Sequence, residues 1–151
     1  MENKINATEE VDSLVKRSLK CLDAYANYTQ EQIDYIVAKA SVAALDKHGI
    51  LALHAVEETK RGVFEDKATK NLFACEYVVN NMRHLKTVGV ISDNEVTGIT
   101  EIAEPVGVVA GITPVTNPTS TAIFKSLICL KTRNPITVSY THLRAHETLA
   151  N

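Results

Sequence analysis

The first half of the chain repeats its hydrophobic residues at the spacing of a helix. Such residues recur three or four positions apart in four segments, over residues 11–22, 33–40, 51–58 and 68–82. This spacing places each set on one face of a helix. Thr29-Gln-Glu-Gln32 is a capping box, because the Thr hydroxyl and the Gln32 side chain can each accept from a free backbone N–H. The box predicts where the second helix begins, and Gly49 predicts where it ends.

The pattern changes to that of strands after about residue 86. Residues 87–91 and 99–102 are short strand-like segments, and the second alternates as a half-buried strand does. The polar cluster Ser92-Asp-Asn-Glu95 between them predicts a turn. Together they predict a pair of strands.

A strand–loop–helix unit follows the strand pair. Residues 106–112 form a continuous apolar run, which is typical of a strand covered on both faces in a parallel sheet. Asn117 is predicted to cap the next helix, with Pro118 at its first position, where a missing N–H costs nothing. Pro135-Ile136 opens the next strand. The predicted fold class is therefore α/β: an N-terminal helical layer, a strand pair, and the first strand–loop–helix unit of a parallel sheet.

Composition narrows the class of protein. The chain has 151 residues, 45% hydrophobic, with a formal net charge of −2, so neither nucleic acid nor an anionic membrane is an expected partner. The sequence has no signal-peptide pattern and no apolar run near the roughly 20 residues of a membrane span. Three scattered cysteines, Cys21, Cys75 and Cys129, favour neither a zinc site nor a disulfide framework. These features predict a cytoplasmic protein.

The best candidate for chemistry is the loop between the apolar strand and the capped helix. In open parallel sheets, ligands bind where strands end, and a helix N-terminus there favours anionic groups. The loop has no G-x-G-x-x-G fingerprint, and a tight turn before a well-capped helix is the alternative interpretation. The candidate residues are Ile112, Thr113, Pro114, Val115, Thr116 and Asn117.

Four segments resemble the N-terminal part of the bifunctional aldehyde-alcohol dehydrogenases. They are Tyr28-Thr-Gln-Glu-Gln-Ile-Asp34, Phe64-Glu-Asp-Lys-Ala-Thr-Lys-Asn71, Ile102-Ala-Glu-Pro-Val-Gly107 and Asn117-Pro-Thr-Ser-Thr-Ala-Ile-Phe-Lys-Ser-Leu-Ile128. The last, continuing through Leu130-Lys-Thr-Arg-Asn134, is typical of the acylating aldehyde dehydrogenase branch. The resemblance implies an incomplete aldehyde-dehydrogenase-like fold over residues 1–136, part of an NAD-binding domain.

The resemblance also implies a reaction. The aldehyde dehydrogenase half of the family reduces acetyl-CoA to acetaldehyde with NADH, through a thioester on a cysteine. A C-terminal, iron-dependent half then reduces acetaldehyde to ethanol in fermentation, and family members assemble into filaments. Cofactors would therefore be NAD, with CoA as co-substrate, and iron only in the C-terminal half. The alternatives are a stand-alone acylating aldehyde dehydrogenase and a non-catalytic assembly module.

The same resemblance places the candidate loop in the NAD site. The wider superfamily has P-x-N-x-P here, with the Asn stabilising the oxyanion. This chain has Pro114-Val-Thr-Asn-Pro118, so Thr116 takes the Asn position and Asn117 is shifted by one. The oxyanion role is assigned to neither. None of the cysteines matches the family nucleophile. Cys75 and Cys129 are predicted to pack in the core and Cys21 to lie near a helix surface, so the chain by itself is predicted to be inactive, with no catalytic residue.

The end of the chain departs from the family pattern. The run Val138-Ser-Tyr-Thr-His-Leu-Arg-Ala-His-Glu-Thr148 resembles the in-frame translation of a transposon-end adapter used in sequencing libraries. We therefore predict that residues 137–151 are an artefactual tail and that the chain is a fragment. His142 and His146 have the spacing of two metal ligands on one helix face, but the adapter explains the same residues, so no metal site is predicted.

Overall fold

A computed structural model describes residues 7–140 of the chain. In chain order, the first elements are α1 (Ala7–Tyr25), α2 (Gln30–Asp46), α3 (His48–Thr59), α4 (Phe64–Leu72), a π-helical turn (Phe73–Tyr77) and α5 (Val78–Met82). They are followed by β1 (Gly89–Asn94), β2 (Ile99–Ala103), β3 (Val109–Thr113), α6 (Pro118–Lys131) and β4 (Ile136–Tyr140). The predicted order of a helical layer, a strand pair and a strand–loop–helix unit is confirmed. No helix within residues 7–140 is long and apolar enough to span a membrane.

The helical core lies between α2, α5 and α6. Its buried members are Ile33, Val37, Val79, Met82 and Leu127, which project from helical positions three or four residues apart. The predicted capping box opens α2: the Thr29 hydroxyl accepts from the Gln32 N–H at 3.3 Å, and the Gln32 side chain accepts from the Thr29 N–H at 2.9 Å. The cap fixes the start of α2, and hence which of its faces meets α6.

The predicted long helix over residues 68–82 contains a π-helical turn. Helical backbone runs from α4 through this turn into α5. A π turn adds one residue and displaces the i→i−4 pattern. Within this turn, the carbonyl of Cys75 accepts from the buried Ser41 hydroxyl at 2.6 Å. This bond ties the middle of the long helix to α2.

The predicted stop at Gly49 is wrong. α2 ends at Asp46, Lys47 joins the two helices, and Gly49 is the second residue of α3. Gly49 is not among the glycines with positive φ, so it does not use the left-handed conformation that makes glycine a helix terminator. That conformation occurs instead at Lys60, which follows α3 with φ 54°.

The strand pair is an antiparallel hairpin that projects its side chains into solvent. β1 pairs with β2 from Gly89↔Ala103 to Asn94↔Ile99. The predicted turn at residues 92–95 is displaced: β1 continues to Asn94, whose side chain accepts from the Val96 and Thr97 N–H groups in the following turn. The predicted half-burial of the second strand is also wrong, since Ile99 and Ile102 are each 59% exposed.

β3 and β4 form a parallel pair, as predicted, but the predicted coverage of β3 on both faces is wrong, since Ile112 is 59% exposed. The register runs from Val109↔Ile136 to Thr113↔Tyr140. β3 begins three residues later than the apolar run, and Val106 is exposed. Gly111 makes room for the Ile136 side chain, because a Cβ there would lie 2.6 Å from Ile136 Cδ1. β4 crosses residue 137, where we placed the start of the artefactual tail; that assignment stays a prediction.

Arg133 joins the end of α6 to two distant parts of the chain. It has φ 57° and is buried. Its guanidinium donates to the Ala26 carbonyl at 2.7 Å and to the Ala103 carbonyl at 2.9 Å. The planar group can bind several carbonyls at once, so one side chain holds the α1–α2 linker, the end of β2 and the turn into β4 together.

Candidate functional site

The predicted loop, residues 112–117, joins the carboxyl end of β3 to the N-terminus of α6. Thr113 is buried at the end of the strand, and its hydroxyl donates to the Ser139 carbonyl at 3.4 Å. The Asn117 N–H donates to the Pro114 carbonyl at 3.3 Å, which closes a turn. Pro118 occupies the first turn of α6, as predicted. The first amides of a helix have no partner within it, so this end of α6 can bind an anionic or carbonyl group.

Three lysines bind this loop, and the sequence analysis missed all of them. Lys125, from α6, donates to the Ile112 carbonyl at 2.6 Å. From α4, Lys67 donates to the Thr116 carbonyl at 2.8 Å and Lys70 donates to Asn117 Oδ1 at 3.0 Å. None of the three forms an ion pair with a carboxylate within residues 7–140. Positive charge is therefore concentrated where the helix dipole is also positive.

Lys67 is buried although its side chain carries a charge. Its relative exposure is 5%. Burial, together with the nearby Lys70 ammonium, lowers the pKa of Lys67 from its ordinary value. Its side chain passes over Gly62, whose ideal Cβ position lies 3.6 Å from Lys67 Cε. Because charged groups are costly to bury, the Thr116 carbonyl is an important acceptor for this ammonium.

Asn117 occupies the predicted cap position but does not cap through its side chain. No backbone N–H of α6 donates to its side-chain oxygen. That oxygen accepts from Lys70 instead, and the Asn117 side-chain NH₂ donates to Thr116 Oγ1 at 3.3 Å. The predicted side-chain cap is therefore wrong, because a charged donor on a neighbouring helix binds the oxygen that would have accepted the helix N–H.

A second contact from α4 fixes the start of α6. Asn71 is fully buried. Its side-chain oxygen accepts from the Thr119 hydroxyl at 2.8 Å, and its NH₂ donates to the His48 carbonyl at 2.9 Å. Lys67, Lys70 and Asn71 thus connect one helical turn of α4 to the loop and α6. Their i, i+3 and i+4 spacing within Phe64-Glu-Asp-Lys-Ala-Thr-Lys-Asn71 is the sequence signal that could have identified them.

A cleft of about 460 Å³ lies beside this network. Its walls combine the polar residues Lys70, Asn117 and Ser120 with the rings of Phe73 and Phe124. Small-molecule sites commonly combine an apolar wall with a few polar groups. Of the predicted loop residues, Asn117 lies in the wall of this cleft.

The cysteines lie where the sequence analysis predicted. Cys21 is exposed on α1, whereas Cys75 and Cys129 are buried. Burial raises the pKa of both buried thiols, and for Cys129 the nearby Lys125 opposes the effect. A raised thiol pKa disfavours the nucleophilic thiolate. Within residues 7–140, no cluster of His, Cys, Asp or Glu could hold a metal ion. His142 and His146 lie outside the described residues.

Comparison with characterised proteins identifies close relatives. No family model matches the chain. It is 69% identical to an aldehyde-alcohol dehydrogenase of Streptococcus pneumoniae over 150 residues, 99% of this chain and 17% of that protein. It is 63% identical to aldehyde-alcohol dehydrogenase 2 of Entamoeba histolytica over 141 residues, 92% of this chain and 16% of that protein. The chain therefore spans about a sixth of the length of these relatives.

Two further similar proteins are named as acetylating aldehyde dehydrogenases. An acetylating succinate-semialdehyde dehydrogenase of Clostridium kluyveri is 35% identical over 139 residues, 92% of this chain and 30% of that protein. Among solved structures, an acetylating aldehyde dehydrogenase of Geobacillus thermoglucosidasius superimposes with a TM-score of 0.86 at 47% identity, covering 88% of this chain and 29% of that one.

The fold is therefore that of part of an acylating aldehyde dehydrogenase, a class of oxidoreductase. Within that class, the chain matches the N-terminal, acylating part of the bifunctional aldehyde-alcohol dehydrogenases over nearly its whole length. The resemblance inferred from the sequence is confirmed.

Proposed function

We propose that the chain contributes one wall of the nicotinamide-cofactor site in an enzyme that reduces acetyl-CoA to acetaldehyde with NADH. The wall is the loop of residues 112–117. The observation that carries this proposal is the positive environment of the loop, with contacts from Lys67, Lys70 and Lys125 and with the N-terminus of α6 beginning at Pro118. A dinucleotide carries a pyrophosphate and amide oxygens, which ammonium and N–H donors bind.

The residues present fit such a cofactor in chemistry and in position. The cofactor supplies the hydride in this class of reaction. The first amides of α6 and the Asn117 side-chain NH₂ are donors beside the cleft, whose wall includes Asn117 and Ser120. The lysines bind the loop itself and add positive potential, and Phe73 and Phe124 supply the apolar wall. These roles are binding and orientation, and none of the groups is a nucleophile.

We infer that the parent enzyme is of the bifunctional kind. Identity is 69% and 63% to two aldehyde-alcohol dehydrogenases, against 35% to an acetylating succinate-semialdehyde dehydrogenase. On this proposal the full enzyme also reduces acetaldehyde to ethanol in an iron-dependent C-terminal half, uses CoA as co-substrate and assembles into filaments in the cytoplasm.

A segment exchange tests the proposal. Residues 7–136 would replace the matching segment of the S. pneumoniae relative, whose 69% identity favours a correctly folded hybrid. We expect the hybrid to oxidise NADH when given acetyl-CoA, and Asn117→Ala to raise the KM for NADH about tenfold through loss of one donor. Ser92→Ala, in exposed β1, is the control. Unchanged NADH kinetics in the Asn117 variant would contradict the assignment of the loop.

The 151-residue chain alone should not catalyse this reaction. Its buried thiols are poor nucleophiles, and none of its cysteines is assigned to the covalent step that the family uses. The measurement is acetyl-CoA-dependent NADH oxidation by the purified chain, with the hybrid as the positive control. Turnover by the chain alone would show that it carries a nucleophile that we have not recognised.

A further inference from the structure

We propose that Lys67 and Lys70 of α4 are positioning residues for the loop of residues 112–117: Lys67 fixes the Thr116 carbonyl, and Lys70 fixes the orientation of the Asn117 amide. This inference rests on the proposed cofactor role of that loop. It assigns a functional reason to the segment Phe64-Glu-Asp-Lys-Ala-Thr-Lys-Asn71, which lies far from the loop in sequence and supplies no catalytic group.

Lys67 meets the loop from the interior of the protein. Its ammonium lies 2.8 Å from the Thr116 carbonyl oxygen, across a separation of 49 residues. The side chain is 5% exposed and has no carboxylate partner among residues 7–140. A buried ammonium is stabilised mainly by the acceptors that it reaches. Movement of the Thr116 carbonyl would therefore leave the charge without its acceptor, and this penalty holds the loop in one conformation.

Lys70 decides which way the Asn117 amide points. An ammonium group only donates hydrogen bonds, so the Asn117 atom 3.0 Å from Lys70 Nζ must be the oxygen. The Asn117 nitrogen then carries both hydrogens away from that contact. One hydrogen points to Thr116 Oγ1, which lies 3.3 Å from the Asn117 nitrogen, and no partner for the other hydrogen is found within residues 7–140. Asn117, in the wall of the cleft, is thus held as a donor for an acceptor oxygen of the ligand.

A second buried lysine, Lys131, has a carboxylate partner instead of a loop carbonyl. Lys131 is as buried as Lys67, at 2% exposure, but its ammonium lies 2.5 Å from Asp34 Oδ1 and makes no contact with the loop. It stabilises the opposite end of α6. Lys131→Met therefore removes a buried ammonium without changing the loop, and it is the matched control for Lys67→Met.

The first measurement is hydrogen exchange in the hybrid enzyme without cofactor. In Lys67→Met, we expect the peptide covering residues 112–117 to exchange about tenfold faster, because the Thr116 carbonyl loses a charged donor. Lys131→Met should leave this peptide unchanged while lowering Tm. Unchanged exchange of the loop peptide in Lys67→Met, or equal effects of the two variants, would overturn the proposal. This result does not depend on whether the hybrid is active.

The second measurement separates positioning from general stability. Lys67→Met and Lys70→Met should each raise the KM for NADH several-fold while kcat for acetyl-CoA reduction changes less than about twofold, as expected for loss of binding contacts. Lys67→Arg, which keeps a charged donor, should recover part of the affinity. A proportional loss of kcat and Tm with unchanged KM would show a merely structural role. If the unsubstituted hybrid neither binds nor oxidises NADH, the proposed function fails, and the exchange result still decides the role of Lys67.

Discussion

The helical core and the two small sheets differ in how completely they bury their apolar residues within residues 7–140. Ile33, at 0% exposure, packs in the core formed by α2, α5 and α6. In the hairpin, Val96 is 96% exposed and Ile99 59%. Helices α2, α5 and α6 bury apolar residues against one another, whereas α1 leaves Val11 and Leu19 about half exposed and each sheet has two strands and exposed faces. The difference teaches that the core of α2, α5 and α6 is stabilised by its own contacts, whereas the hairpin gains little from burial within the described residues.

The largest effect should come from deleting a side chain of the helical core. Ile33 is fully buried, so Ile33→Ala leaves a cavity that the surrounding side chains fill only in part. We expect the substitution to lower the free energy of unfolding by about 3–4 kcal/mol. The measurement is loss of helical circular dichroism of the 151-residue chain in urea. Ile99→Ala, in the hairpin, should change it by less than about 0.5 kcal/mol. Similar losses in the two variants would remove the distinction between core and sheets.

The ion pair between α2 and α6 should have the next largest effect. Among residues 7–140, Asp34→Ala leaves the Lys131 ammonium, whose side chain is 3% exposed, with only the Arg83 carbonyl at 3.4 Å. An unpaired buried charge costs about 3 kcal/mol. Asp46→Ala removes an exposed pair with Lys47 and should cost less than about 1 kcal/mol. Urea titration of both variants checks this, and a small loss for Asp34→Ala would show that water reaches Lys131.

Thiol reactivity tests the packing of the helical core without mutation, against the exposed surface of α1. Cys21 lies on the surface of α1, and Cys75 and Cys129 lie inside the helical layer. We expect a neutral alkylating reagent to modify Cys21 at least about a hundredfold faster, equivalent to about 2.8 kcal/mol of local opening. Peptide mass spectrometry over a time course measures the three rates. Equal rates for the three cysteines in the absence of urea would mean that the helices do not pack stably.

The smallest effect concerns the turn between α3 and α4. Lys60 has φ 54°, a left-handed conformation that glycine adopts without strain. Lys60→Gly should therefore stabilise the helical core by about 0.5–1 kcal/mol. Gly98→Ala, at φ 66° in the hairpin turn, should strain the hairpin and leave the helical midpoint unchanged. Destabilisation by Lys60→Gly would show that its side chain has a role beyond the turn.

Local sequence patterns predicted most elements of the fold but few of the contacts that form the site. Helical spacing and the Thr29 capping box located α2, and an apolar run followed by Pro118 located β3 and α6. These signals act within a few residues. The contacts of Lys67 and Lys70 with the loop span 49 and 47 residues, and a pattern along the chain does not show which helix turn faces which loop.

Two assignments at helix ends were wrong. Gly49 and Asn117 are residue types that often end or begin helices, yet neither acts as its type suggests. α3 begins one residue before Gly49, and Lys70 binds the side-chain oxygen of Asn117. At Asn117 a neighbouring helix determined the outcome. Helix existence and the start of α2 at Thr29 were therefore predictable from local sequence, whereas the side-chain role of Asn117 was decided by a tertiary contact.

The central claim is that residues 112–117, held by α4, form a wall of the cofactor site. A crystal or cryo-electron microscopy structure of the hybrid enzyme with bound NAD⁺ tests it most directly. We predict cofactor density against this loop and the N-terminus of α6, with Lys67 on the Thr116 carbonyl and the Asn117 NH₂ within hydrogen-bond distance of a cofactor oxygen. Well-ordered NAD⁺ that touches neither the loop nor α6 would contradict the account.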